Sequence, residues 1–204
     1  EESWHNAEVD ALYRLAEAGV RVPTPYGCFD GVLLMELVTY DEGEVAPRLN
    51  DVSMTHEQAL EDHLTIMNDV KRMLVAGLVH GDLSEFNVLV DDYGPVIIDL
   101  PQAVDAAANN HAKSMLERDV RNMTEYYGQY APELLRTHYA KEMWALYEDG
   151  DLTADTILTG LFEEATESAD VDSVMHEIRE VLAEERKRKE REANADDNYT
   201  YEEL

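Results

Sequence analysis

The chain has 204 residues, 45% of them hydrophobic, and 16 Lys+Arg against 45 Asp+Glu give a formal net charge of −29 and a pI near 4.3. That size suits one domain or most of one, and so acidic a surface repels phosphate backbones, which argues against direct nucleic-acid binding. No run of 18 uncharged apolar residues is available to span a membrane, and the single cysteine excludes an internal disulfide framework and suits a reducing cytoplasm.

In chain order, Trp4 to about Ala18 predicts a helix, with Trp4, Ala11, Leu12 and Leu15 at roughly helical spacing and Gly19 at its end. Val20 to Tyr26 is extended and broken by Pro23 and Pro25. Cys28 reads as a small, partly buried side chain rather than a nucleophile. The apolar run from Gly31 to Val38 predicts a buried strand, followed by an acidic loop. Thr55 is a candidate N-cap for a long helix that carries Leu60, Leu64, Met67, Val70 and Leu74 on one face and stops near Gly77.

The next segment differs in kind. Val88-Leu89-Val90 and Val96-Ile97-Ile98 are short β-branched runs flanking Asp91-Asp92-Tyr93-Gly94-Pro95, so they predict a hairpin. Helical patterns follow: about Asn110 to Tyr127, Pro132 to Tyr147, Thr153 to Ala165 and Asp170 to Arg191. Glu184 to Glu192 is almost all charge, and Ala193 to Leu204 reads as a polar, frayed tail. The acidity reflects either a salty habitat or solubility alone.

Chemistry gathers around the hairpin. His80-Gly81-Asp82 precedes it, Asn87 stands at its entrance and Asp99 at its exit. Paired strands bring their two ends to one side, so Asn87 and Asp99 offer oxygen donors to one space. Mg²⁺ takes such ligands and completes its shell with waters and substrate phosphates. Asp82, five residues before Asn87, is then set to orient an acceptor hydroxyl and take its proton. A lone His-x-Asp is weak, and acids after strands are often caps; the conjunction of all these groups carries the reading.

The arrangement resembles the catalytic loop and metal-binding Asp of protein kinases. The string from Leu78 to Asn87, with Ser84-Glu85-Phe86 inside it, is similar to the RIO kinase catalytic loop, and Ile97-Ile98-Asp99 followed by Gln102-Ala103-Val104 to the RIO metal loop. Gly81 and Leu100-Pro101 look more like bacterial members. The resemblance implies an α+β, protein kinase-like fold, with residues 1–38 as part of a small lobe, 39–183 as the helical lobe and 184–204 as a charged helix end and tail. It implies ATP-dependent phosphoryl transfer to protein serine, or ATPase activity, with Asp82 as base and Asn87 and Asp99 holding Mg²⁺, or Mn²⁺, with ATP.

By the same resemblance Glu8 matches the helix Glu that pairs with the ATP-binding lysine, and Met35 the gatekeeper. Glu36 and Val38 supply hinge backbone groups to adenine, and Ser84 belongs to the ATP site. Asp119 braces the catalytic loop, as does His80, and Asp99 is a possible transient phosphoacceptor. The blander alternatives are a solvated helix residue for Glu8, ordinary core for Met35 and an exposed helix charge for Asp119. Relatives in this family act in small ribosomal subunit maturation, so ribosomal factors are possible partners.

The family also uses a nucleotide-covering loop and a strand lysine upstream of the Glu8 helix. Only seven residues precede Glu8, and the first lysine is Lys71. The expectation is therefore a fragment of a longer kinase that by itself binds ATP weakly. Two other readings stay open: a small-molecule phosphotransferase of the aminoglycoside/choline kinase type, and a nucleotide-gated pseudokinase module.

Overall fold

The computed structural model describes residues 2–163. The predicted helix 170–191, the tail 193–204 and the side chain of Trp4 lie outside the described residues. Helix α1 (Glu2–Glu17) buries Ala11, Leu12 and Leu15. It closes as a Schellman motif: Val20 N–H donates to Leu15 O, Gly19 N–H donates to Ala16 O, and Gly19 takes φ +74°.

Strands β1 (Pro25–Phe29) and β2 (Val32–Met35) form an antiparallel pair. The sequence predicts a buried strand here, yet Val32 is 68% exposed, Leu34 53% and Leu37 68%. The cause is the two-stranded sheet itself: among the described residues no further strand joins it. Cys28, on the same pair, is exposed rather than partly buried. Val38 is buried, and β3 (Thr39–Tyr40) pairs with β4 (Glu44–Val45) within the segment read as a loop.

Helix α2 (His56–Val75) starts where Thr55 Oγ1 accepts the Gln58 N–H at 3.2 Å. Ala59, His63, Ile66, Met67, Val70 and Leu74 are buried along it. Leu64 is not on that face: it is 46% exposed, one step too far round the helix from His63 and Ile66.

The chain then forms β5 (Leu78–Val79), β6 (Val88–Asp91), β7 (Gly94–Ile97) and β8 (Val104–Asp105). The hairpin β6–β7 pairs Val88 with Ile97 and Asp91 with Gly94, so its turn is tighter than the five-residue segment predicted. Pro95 sits inside β7, tolerated because no third strand joins the pair among the described residues. β5 pairs with β8, Val79 against Val104, a contact between two-residue strands that no local pattern announces.

Helix α3 (Ala112–Gly128) buries Leu116, Val120, Met123 and Tyr127 against α2. The stretch predicted as one helix from Pro132 divides into a 3-10 turn (Pro132–Arg136) and α4 (Tyr139–Glu148). The helix predicted from Thr153 is not formed over residues 153–163. Its backbone donors go elsewhere: the Glu142 carboxylate takes the N–H groups of Thr159 and Gly160, each at 2.8 Å, and Thr156 Oγ1 takes that of Thr153 at 2.9 Å. Lys71, buried in α2, donates to Thr156 O at 2.7 Å and ties this segment down. No helix among the described residues is long and apolar enough to cross a membrane.

Candidate active site

The loop from His80 to Asn87 is built against α3. Asp119, 1% exposed, accepts the Gly81 N–H at 2.7 Å on one carboxylate oxygen and the Leu83 N–H at 3.0 Å on the other. Burial raises its pKa, and those backbone donors act in the opposite sense. Arg118 donates to Gly81 O, and Asn122 donates to Leu83 O at 2.9 Å. Spaced along one helix, these three residues satisfy loop groups that no strand pairs. The exposed-charge alternative for Asp119 therefore does not hold.

His80 is buried and used on both nitrogens. Nε2 donates to Ile98 O at 3.0 Å, which fixes the tautomer that leaves Nδ1 to accept the Asp82 N–H at 3.2 Å. The imidazole links the loop to the chain leaving β7. At the far end, Asn87 N–H donates to Ser84 O at 2.9 Å, and the Asn87 carboxamide donates to Asp82 O at 2.8 Å. Asn87 Nδ2 also lies 3.5 Å from Asp82 Oδ2.

Asp99 follows β7 by two residues with φ +68°, a conformation that few side-chain-bearing residues adopt. It lines a cavity of about 650 Å³ together with Asn87. Leu12, Leu33, Val38, Leu89 and Ile97 supply apolar wall, while Glu8, Glu36, Arg48, Asn87 and Asp99 supply the polar groups. Met35 also lines it and is 43% exposed, so it is not ordinary core. The Glu36 carboxylate is held by Thr24 N–H at 2.9 Å and Thr24 Oγ1 at 2.8 Å. Val38 O accepts from Ala46 N–H at 3.0 Å, and no backbone hydrogen bond among the described residues takes the Glu36 carbonyl or the Val38 N–H.

Glu8, Met35, Glu36, Val38, Asn87 and Asp99 thus come together on one cavity. Asp82 and Ser84 are not on its lining; Asp82 is joined to it through Asn87, whereas Ser84 contributes its carbonyl to the loop. Among the described residues no three acidic, His or Cys groups cluster as a metal cage. One carboxylate and one carboxamide fit a hard cation that shares its shell with nucleotide phosphates. Sequence reasoning missed Arg48, Arg118 and Asn122, and it named Gln102 only as part of the metal-loop string, with no role. The 118–122 spacing on the Asp119 helix was the available signal for Arg118 and Asn122.

Residues 1–141 match the family model for the RIO domain. The RIO-type serine/threonine-protein kinase Rio1 of Haloferax volcanii is 39% identical over 125 residues, 61% of this chain and 42% of that protein. Its namesake in Thermoplasma acidophilum is 32% identical over 143 residues, 68% of this chain and 73% of that protein. The human serine/threonine-protein kinase RIO1 is 30% identical over 156 residues, 76% of this chain and 27% of that protein. The match therefore spans well under two thirds of the length of the Haloferax and human relatives.

Proposed function

The chain belongs to the RIO family, whose domain is protein kinase-like, and from that premise we propose that it supplies the base and metal half of a site for ATP-dependent phosphoryl transfer to protein serine, or for ATP hydrolysis. One observation carries the reading: Asn87 and Asp99 line one cavity while the Asn87 carboxamide donates to the Asp82 carbonyl. The apolar walls suit a purine, and the Glu36 carbonyl and Val38 N–H offer an acceptor and a donor to its edge. Residues 1–38 then contribute to the small lobe and the described chain from 39 onward to the helical lobe.

Asp82 orients the acceptor hydroxyl and takes its proton as the new oxygen–phosphorus bond forms and the bond to the departing nucleoside diphosphate breaks. Asn87 and Asp99 would hold Mg²⁺, or Mn²⁺, which neutralises charge on the phosphates. Among the described residues Arg48 is the one Lys or Arg on a cavity that also carries Glu8, Glu36 and Asp99, so it takes the phosphate end of the nucleotide. Glu8 remains available to a cation outside the described residues.

The test is phosphate release and protein labelling by the full-length protein with labelled ATP and Mg²⁺. Activity that Asp82→Asn cuts to a small residual turnover is the expected result. Equal turnover in wild type and Asp82→Asn, or none in either, overturns the reading.

A further inference from the structure

We propose that Gln102 is the positioning residue for Asp82, a role that rests on the phosphotransferase reading above. The turn Leu100-Pro101-Gln102-Ala103 is closed by Ala103 N–H donating to Leu100 O at 2.9 Å. Pro101 stands at its second position, where a fixed φ favours the turn. Strand β8 begins two residues later and pairs Val104 with Val79, so the same register carried outward sets Gln102 opposite Gly81.

The approach is close. A Cβ on Gly81 would lie 2.7 Å from the Gln102 carbonyl oxygen and 2.6 Å from Met115 Cε, and Gly81 has φ +83°. Glycine is thus what allows the metal loop to lie against the catalytic loop. From that seat the Gln102 carboxamide Nε2 reaches Asp82 Oδ2 at 3.3 Å. Asn87 Nδ2 approaches the same oxygen at 3.5 Å. No hydrogen bond among the described residues takes Asp82 Oδ1.

Two neutral donors therefore converge on one carboxylate oxygen and leave the other for the acceptor hydroxyl. A carboxamide fixes orientation without donating a proton to the base and without adding a charge beside it.

Turnover and the KM for ATP are measured in the full-length protein for Gln102→Met, Gln102→Glu and Asp82→Asn, and for Gln102→Met combined with Asp82→Asn. The expected result is a turnover about tenfold lower in Gln102→Met, at least as large a loss in the isosteric Gln102→Glu, and a KM within about twofold of wild type. Residual turnover of Asp82→Asn should not fall further when Gln102→Met is added, because the residue acts through Asp82. Gln102→Met at wild-type turnover beside a strongly impaired Asp82→Asn overturns the positioning role alone. So does an equal loss in the Asp82→Asn background, which marks a structural defect. Wild-type turnover in Asp82→Asn overturns the parent reading, and the role of Gln102 with it.

Discussion

The Asn87 carboxamide nitrogen lies 2.8 Å from the Asp82 carbonyl oxygen, so a residue that lines the cavity also closes the loop that carries the candidate base. On the proposed reading, metal binding and base placement would therefore be coupled through one side chain. Asn87→Ala removes both the oxygen donor and the loop tie. Asn87→Asp keeps an oxygen ligand but turns a carboxylate toward the Asp82 carbonyl. Titrating Mg²⁺ at fixed ATP should raise the half-saturating concentration by tenfold to about 100-fold for Asn87→Ala. Asn87→Asp should show a smaller metal effect and a comparable loss of turnover. An unchanged Mg²⁺ requirement in Asn87→Ala would remove Asn87 from the metal site.

Asp119 illustrates how a buried charge serves the loop. Each carboxylate oxygen accepts one backbone N–H, from Gly81 and from Leu83. Asn at this position can accept only one and turns its own NH₂ toward the other. Asp119→Asn should therefore destabilise the fold by about 1–3 kcal/mol, the cost of a buried donor left unpaired. Urea denaturation reads this directly, and an unchanged midpoint would deny Asp119 its bracing role.

The strongly periodic elements were legible in the sequence for a physical reason. Helices α1, α2 and α3 and hairpin β6–β7 announce themselves through local spacing, and the Asp82, Asn87 and Asp99 types through their positions around that hairpin. What local pattern could not convey is non-local pairing. The β5–β8 contact joins residues some 25 apart, and it aligns Gln102 with Gly81. The stretch after Thr153 has a helical pattern, yet the Glu142 carboxylate and Lys71 claim its polar groups. Apolar residues from Val32 to Leu37 read as core because an apolar strand is usually covered; among the described residues their sheet ends at two strands.

His63 gives the fold a specific acid sensitivity. It is buried in α2, hydrogen-bonded to Thr124 Oγ1 at 3.0 Å and in ring contact with Tyr127 and Tyr139. Burial pushes its pKa down from 6.5 to about 4. The native state therefore keeps it neutral while the unfolded chain takes up a proton below about pH 6.5. Its contribution is fully present above that pH and is lost as pH falls toward 4. Between pH 7 and 5 this amounts to about 2 kcal/mol. Buried Asp62, Asp69 and Asp119 have raised pKa values and oppose the trend, so the comparison must be with His63→Leu. That variant should lose less stability than wild type between pH 7 and 5 by denaturant titration. Parallel pH profiles would contradict a buried neutral His63.

Arg48 tests the electrostatics of the cavity. It follows Ala46 and Pro47 and bridges to Leu89 of β6, so the backbone there is fixed to the hairpin that carries Asn87. On the proposed reading the triphosphate end of a nucleotide would meet the carboxylates of Glu8 and Asp99 on the same lining, and their repulsion would have to be offset. Arg48→Ala should raise the KM for ATP about tenfold, equivalent to about 1.4 kcal/mol of binding, with kcat little changed. Arg48→Lys keeps the charge but loses the planar fork, and should recover only part of the affinity. Adenosine, which carries no phosphate, should compete equally well in wild type and Arg48→Ala. If adenosine binding falls as much as ATP binding, Arg48 shapes the base pocket and not the phosphate end.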